Sequence, residues 1–120
     1  MNAIAFISFI KDFVEKSAVN TVKTNITSPA GRQPQQKYVI MSRWYNSQEQ
    51  DDKEHVDLII KEAVHSAIFR MLTVFDGVTS LGKEYSEGEF ELYYKDKEIQ
   101  SRINDLKNEY LHDLFNDESV

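Results

Sequence analysis

Cysteine is absent from the sequence, so no disulfide framework and no thiolate metal site can be drawn. Small secreted domains commonly depend on such staples, and their absence points towards the cytoplasm. Glycine is scarce: Gly31, Gly77, Gly82 and Gly88 form neither a P-loop nor a dinucleotide fingerprint, and each suits a turn or a cap. No apolar run approaches the roughly 20 residues that a membrane span requires. The apolar start, Ala3-Ile4-Ala5-Phe6-Ile7-Ser8-Phe9-Ile10, is unlike a signal peptide. No Lys or Arg precedes it, and Lys11-Asp12 interrupts it without a small-residue cleavage site. Basic residues are in deficit, 14 against 20 acidic ones, for a net charge of −6. A nucleic-acid binder needs clustered Lys and Arg to displace counterions from phosphate, and this balance argues against one.

What is present is enough for a packed core. Apolar residues make up 41% of the chain and aromatics 12%, which excludes a disordered chain. A length of 120 residues suits one domain, residues 1–120, better than two.

Residues 2–18 read as an amphipathic helix with Asn2 as N-cap. Ala3, Phe6, Ile7, Ile10, Phe13, Val14 and Ser17 share one face, and Glu15 lies on the polar side. Residues 20–36, with Pro29, Gly31 and Pro34, read as a long polar loop holding at most a short strand near 21–26. Residues 38–45 are β-branched and aromatic and read as a strand.

The strongest element is a long helix. Val56, Ile59, Ile60, Ala63, Val64, Ala67, Ile68, Met71, Leu72 and Phe75 form its main stripe, with Asp51, Asp52 and Glu54 at its start and Gly77 as C-cap. A second stripe, Leu58, His65 and Phe69, suggests either a central position or a homo-oligomer interface. Residues 78–81 read as a short strand. Alternation over residues 89–94 turns Phe90, Leu92 and Tyr94 inward and Glu89, Glu91 and Tyr93 outward. A hairpin connection at 95–98 leads to a strand at 99–103. Asn104 or Asp105 would then cap a last helix presenting Leu106, Tyr110, Leu111, Leu114 and Phe115. The expected class is α+β: a small antiparallel sheet packed against a long central helix, with N- and C-terminal helices.

Two Glu-x-x-His tetrads, Glu62 to His65 and Glu109 to His112, have the spacing by which di-iron bundles place a carboxylate and an imidazole on one helix face. Such bundles need further glutamates from two more helices, and only Glu15 is offered here. Packing roles explain both histidines more simply, and either could serve as a general base beside a carboxylate. Ser66 and Ser86 sit in no nucleophile elbow, so hydrolase chemistry has no support. No cofactor is implied.

The remaining candidate is a surface. Glu89, Glu91 and Tyr93, with Glu84 and Glu87 upstream, form an acidic and aromatic row suited to a basic protein partner. A plain solvated strand face is the competing account.

Three stretches carry a resemblance. They are Glu62-Ala63-Val64-His65-Ser66-Ala67-Ile68-Phe69 running into Leu72-Thr73-Val74-Phe75-Asp76-Gly77-Val78, then Phe90-Glu91-Leu92-Tyr93, then Glu109-Tyr110-Leu111-His112-Asp113-Leu114-Phe115. Together they resemble small acidic bacterial proteins of unassigned function, some of them immunity partners in toxin–antitoxin-like loci. The resemblance covers about half the chain and carries over no functional residue. It implies binding rather than catalysis. The expectation is therefore a cytoplasmic protein-binding module, with an immunity-type protein that neutralises a basic toxin as its specific form. The alternatives are an oligomeric accessory protein, and a metal-dependent enzyme using the two tetrads.

Overall fold

The computed structural model describes all of residues 1–120. It is α+β, with 59% of the chain helical and one antiparallel strand pair. The helices are α1 (Ala3–Phe9), α2 (Lys16–Thr27), α3 (Gln36–Asn46), α4 (Gln50–Phe75) and α5 (Leu111–Asn116). A π-helical segment, Ile10–Glu15, joins α1 to α2, and the strands are β1 (Tyr93–Asp96) and β2 (Ile99–Arg102). No helix is long and apolar enough to cross a membrane. Two compact units divide the chain: Met1–Val14 with Ser66–Val120, and Glu15–His65.

In the first unit, Asn2 Oδ1 accepts from the Ala5 amide at 2.8 Å and starts α1, as its N-cap position requires. Ala3 and Ile7 of α1 pack with Leu72 of α4, with Ile103, and with Leu111, Leu114 and Phe115 of α5. Each large side chain in this cluster contributes about 1.5–3 kcal/mol by leaving water. The end of α4 is a Schellman motif: the Gly77 amide donates to the Val74 carbonyl and the Val78 amide to the Thr73 carbonyl, both at 3.1 Å. That geometry needs the left-handed backbone that Gly77 supplies, with φ of 73°.

Two buried polar side chains then tie the unit together. The Asp76 carboxylate accepts from the Leu111 and His112 amides, each at 2.9 Å, and from His112 Nδ1 at 2.6 Å. Asn104 Nδ2 donates to the Phe75 and Phe90 carbonyls at 2.6 and 2.8 Å, and its Oδ1 accepts from the Leu92 amide at 2.8 Å. Lys11 Nζ donates to the Asp117 and Val120 carbonyls beyond α5. The hairpin pairs Tyr93 with Arg102, Tyr94 with Ser101, Lys95 with Gln100 and Asp96 with Ile99. Its two-residue loop places Lys97 at φ 55°, a conformation that glycine or asparagine adopts more readily.

In the second unit α2 packs against α3, and Val19 and Ile26 of α2 and Ser42 and Tyr45 of α3 are buried. Ser42 Oγ and Asn46 Nδ2 both donate to the Thr27 carbonyl, closing the end of α2. Asp57 of α4 accepts from Tyr45 Oη at 3.0 Å and pairs with Lys23 at 3.3 Å. Burial first, and then this bond to Asp57, raise the Tyr45 pKa above the ordinary tyrosine value.

Several expected elements differ. Residues 38–45 form part of α3 rather than a strand, since Tyr38, Ser42 and Tyr45, spaced by four and three, turn inward while Ile40 and Trp44 stay exposed. Residues 20–27 belong to α2, so the polar loop shrinks to 28–35. Residues 78–81 form no strand, because the Schellman motif and a hydrogen bond between Thr73 and Thr79 hold that segment against the end of α4. Asn104 does not cap the last helix. That helix starts at Leu111, and Asp76 serves its first amides from a distant part of the chain. The hairpin strands are exposed, and it is Leu92 and Ile103, just outside them, that join the core cluster. The stripe on α4 buries chiefly Leu72, while Ile59 and Met71 remain 67% and 56% exposed.

Candidate functional site

The inward and outward alternation expected over residues 89–94 holds only at Leu92, since Phe90 and Tyr94 are exposed like Tyr93, yet Glu91 and Tyr93 do share a face. Tyr93 and Arg102 are cross-strand partners and share a face with Glu91 and Glu89. Tyr93 Oη donates to Glu91 at 3.0 Å, and Arg102 approaches Glu91 at 3.3 Å and Glu89 at 3.9 Å. Arg102, which sequence reading left out, therefore partly neutralises the acidic row. Only cross-strand register could have placed it there. Glu84, in a short 3₁₀ turn (Lys83–Tyr85), and Glu87 are exposed beside a cleft of about 360 Å³ lined by Leu81, Tyr85, Gly88, Glu89 and Phe90.

The bond to Glu91 favours the neutral Tyr93 phenol and raises its pKa above the ordinary tyrosine value. A raised folded-state value stabilises the fold below the ordinary tyrosine range, and the effect is lost as pH rises through the raised value. In phenolate absorbance titrations, Glu91→Gln is expected to bring the Tyr93 midpoint back down towards that of a free tyrosine. A midpoint that Glu91→Gln leaves in place would dismiss the bond as its cause. Subtracting the Tyr93→Phe curve assigns the signal.

The two tetrads fall in separate units. Glu109 precedes α5, so Glu109 and His112 do not lie on one helix, and His112 stands in the first turn of α5. Its Nδ1 bonds Asp76, and its ring stacks on Tyr110 and meets Phe69 edge-on. Phe69 thus packs with the core cluster, whereas Leu58 of the same sequence stripe is exposed. No group of three or more His, Asp or Glu side chains converges as a metal site would require.

His65 is placed differently. Its Nδ1 lies 2.8 Å from Glu15 Oε2, joining α4 to the last residue of the π segment. A carboxylate accepts only, so the imidazole proton sits on Nδ1, an arrangement that fixes tautomer and ring orientation. The pair borders a groove of about 630 Å³ between α2 and α4, with Val19 and Leu58 as apolar lining and Lys16, Lys61 and Glu62 as charged lining. The sequence brought Glu15 to the Glu62–His65 tetrad only as a metal ligand, whereas the structure joins Glu15 and His65 by a direct hydrogen bond.

Comparison with protein-family models, curated proteins and solved structures finds no match to this chain.

Proposed function

We propose that the chain is a protein-binding module that docks through the β1–β2 hairpin and the aromatic segment before it. The observation that carries this reading is exposed apolar surface on a thin support: Ile99, Tyr85 and Phe90 are 76%, 60% and 50% exposed. A two-stranded ribbon is marginal alone, and a concentration of exposed aromatics is characteristic of a recognition surface. Acidic Glu84, Glu87 and Glu89 around the cleft, with the net charge of −6, favour a basic partner. An immunity-type protein that neutralises a basic toxin is the specific form this reading takes.

Affinity capture from the source cell with mass spectrometry tests it. A basic protein retained in near-equal amount, and lost when Tyr85→Ala, Phe90→Ala and Ile99→Asp are combined, is the expected result. A partner retained equally by the triple variant would move the interface elsewhere, and an empty capture under conditions that express the neighbouring genes would remove the reading.

A further inference from the structure

We propose that the groove of the Glu15–His65 unit binds a free α-amino acid with an apolar side chain. This goes beyond the hairpin reading and involves none of its residues.

Three observations converge on the groove. Its volume of about 630 Å³ falls within the roughly 300–1,000 Å³ of small-molecule sites. The π segment ends on the groove's own Glu15. Such segments are rare in helices and frequently mark functional sites. The Glu15–His65 bond at 2.8 Å then fixes that wall, with a carboxylate orienting an imidazole.

Charge decides what fits. Glu15 and Glu62 equal Lys16 and Lys61 in number, so the lining has no net formal charge when His65 is neutral. A guest of one sign would leave that balance broken, whereas a zwitterion preserves it. Glu15 is already engaged by His65, which leaves Glu62 to meet an ammonium and its chain neighbour Lys61 to meet a carboxylate. Each contact is a charge-assisted hydrogen bond. Leu58, at 63% exposed and otherwise uncovered, offers apolar surface to a side chain, with the buried Val19 beside it in the lining.

NMR titration of the full chain with leucine tests the site, because amide shifts report binding without any assumed activity. Leucine is expected to shift amides lining the groove and to leave the hairpin amides unmoved. Isocaproate and isoamylamine, which each lack one of its charges, are expected to bind about tenfold more weakly. Lys61→Ala and Glu62→Gln, both at exposed positions that leave the fold intact, should each weaken leucine by a similar factor. Absence of shifts at about 10 mM leucine overturns the proposal. So does isocaproate binding as well as leucine, which would make this an anion site, or leucine affinity that neither variant changes.

Discussion

Asp76→Ala is expected to lower the unfolding free energy by about 3–4 kcal/mol, a large share of the roughly 5–15 kcal/mol that domains possess. Asp76 is 5% exposed and sits at the junction of α4 and α5. Its two oxygens take the Leu111 and His112 amides, which an α-helix leaves without partners inside its own first turn. Alanine would strand both donors, and a buried unsatisfied donor costs about 1–3 kcal/mol. The bond to His112 Nδ1 would be lost as well. Two comparisons separate these contributions. His112→Ala removes the ring bond and the stacking on Tyr110 but keeps both amide contacts, so it should cost less than Asp76→Ala. Asp76→Asn keeps one acceptor oxygen and should fall between Asp76→Ala and the native chain. Urea denaturation followed by helical circular dichroism gives all three values. A loss below about 1 kcal/mol for Asp76→Ala would mean that water replaces the carboxylate and that α5 needs no partner from α4.

The elements that the sequence announced are those whose signal is local. Asn2 as a cap, Asp51 and Asp52 in the first turn of α4, Gly77 as its C-cap and the hairpin, whose connection was expected at 95–98 and narrows to residues 97–98, all depend on residues a few positions apart. The second unit was obscured because its packing faces carry polar residues in the middle. On α2 the inward sequence is Val19, Lys23, Ile26, and on α3 it is Tyr38, Ser42, Tyr45. Lys23 is answered by Asp57, and Ser42 by the Thr27 carbonyl. Those partners lie far along the chain, so nothing in a short window marks either polar residue as inward-facing. The apolar period breaks at Lys23 and Ser42, and a β-branched, aromatic run such as 38–45 then reads as a strand.

The candidate sites follow the same rule. Glu91 and Tyr93 share a face through period-two alternation, which is visible in sequence. Arg102 joins them through strand register, and Glu15 joins His65 through packing across 50 positions. The N-terminal pattern shows a further way for the signal to fail. Phe13 and Val14 continue the apolar stripe of α1 in sequence, yet both are exposed, because the π segment breaks the helical phase between them and Ile7. A period of 3.6 cannot report its own interruption.

Asn104→Asp is expected to be the most damaging single-atom-pair change in the chain, costing about 4 kcal/mol, more than Asn104→Ala. Asn104 is 4% exposed and uses all of its hydrogen-bonding capacity: two N–H donors reach the Phe75 and Phe90 carbonyls, and its oxygen receives the Leu92 amide and, at 3.4 Å, Arg102 Nε. It therefore holds the end of α4, the segment entering β1 and the segment leaving β2 at one point. Alanine leaves two carbonyls and one amide without these partners, at about 3 kcal/mol in total. Aspartate keeps the acceptor for Leu92 but replaces the donating amide nitrogen with an oxygen. That oxygen would face two carbonyl oxygens now 2.6 and 2.8 Å from the nitrogen, so repulsion adds to the lost bonds. Arg102 Nε, 3.4 Å from Asn104 Oδ1, offsets only part of the new charge. The expected order of stability is thus native, Asn104→Ala, Asn104→Asp, measured as urea midpoints. If Asn104→Asp proved more stable than Asn104→Ala, Arg102 would be the residue that governs this junction, and Arg102→Ala in the aspartate background would reverse the order.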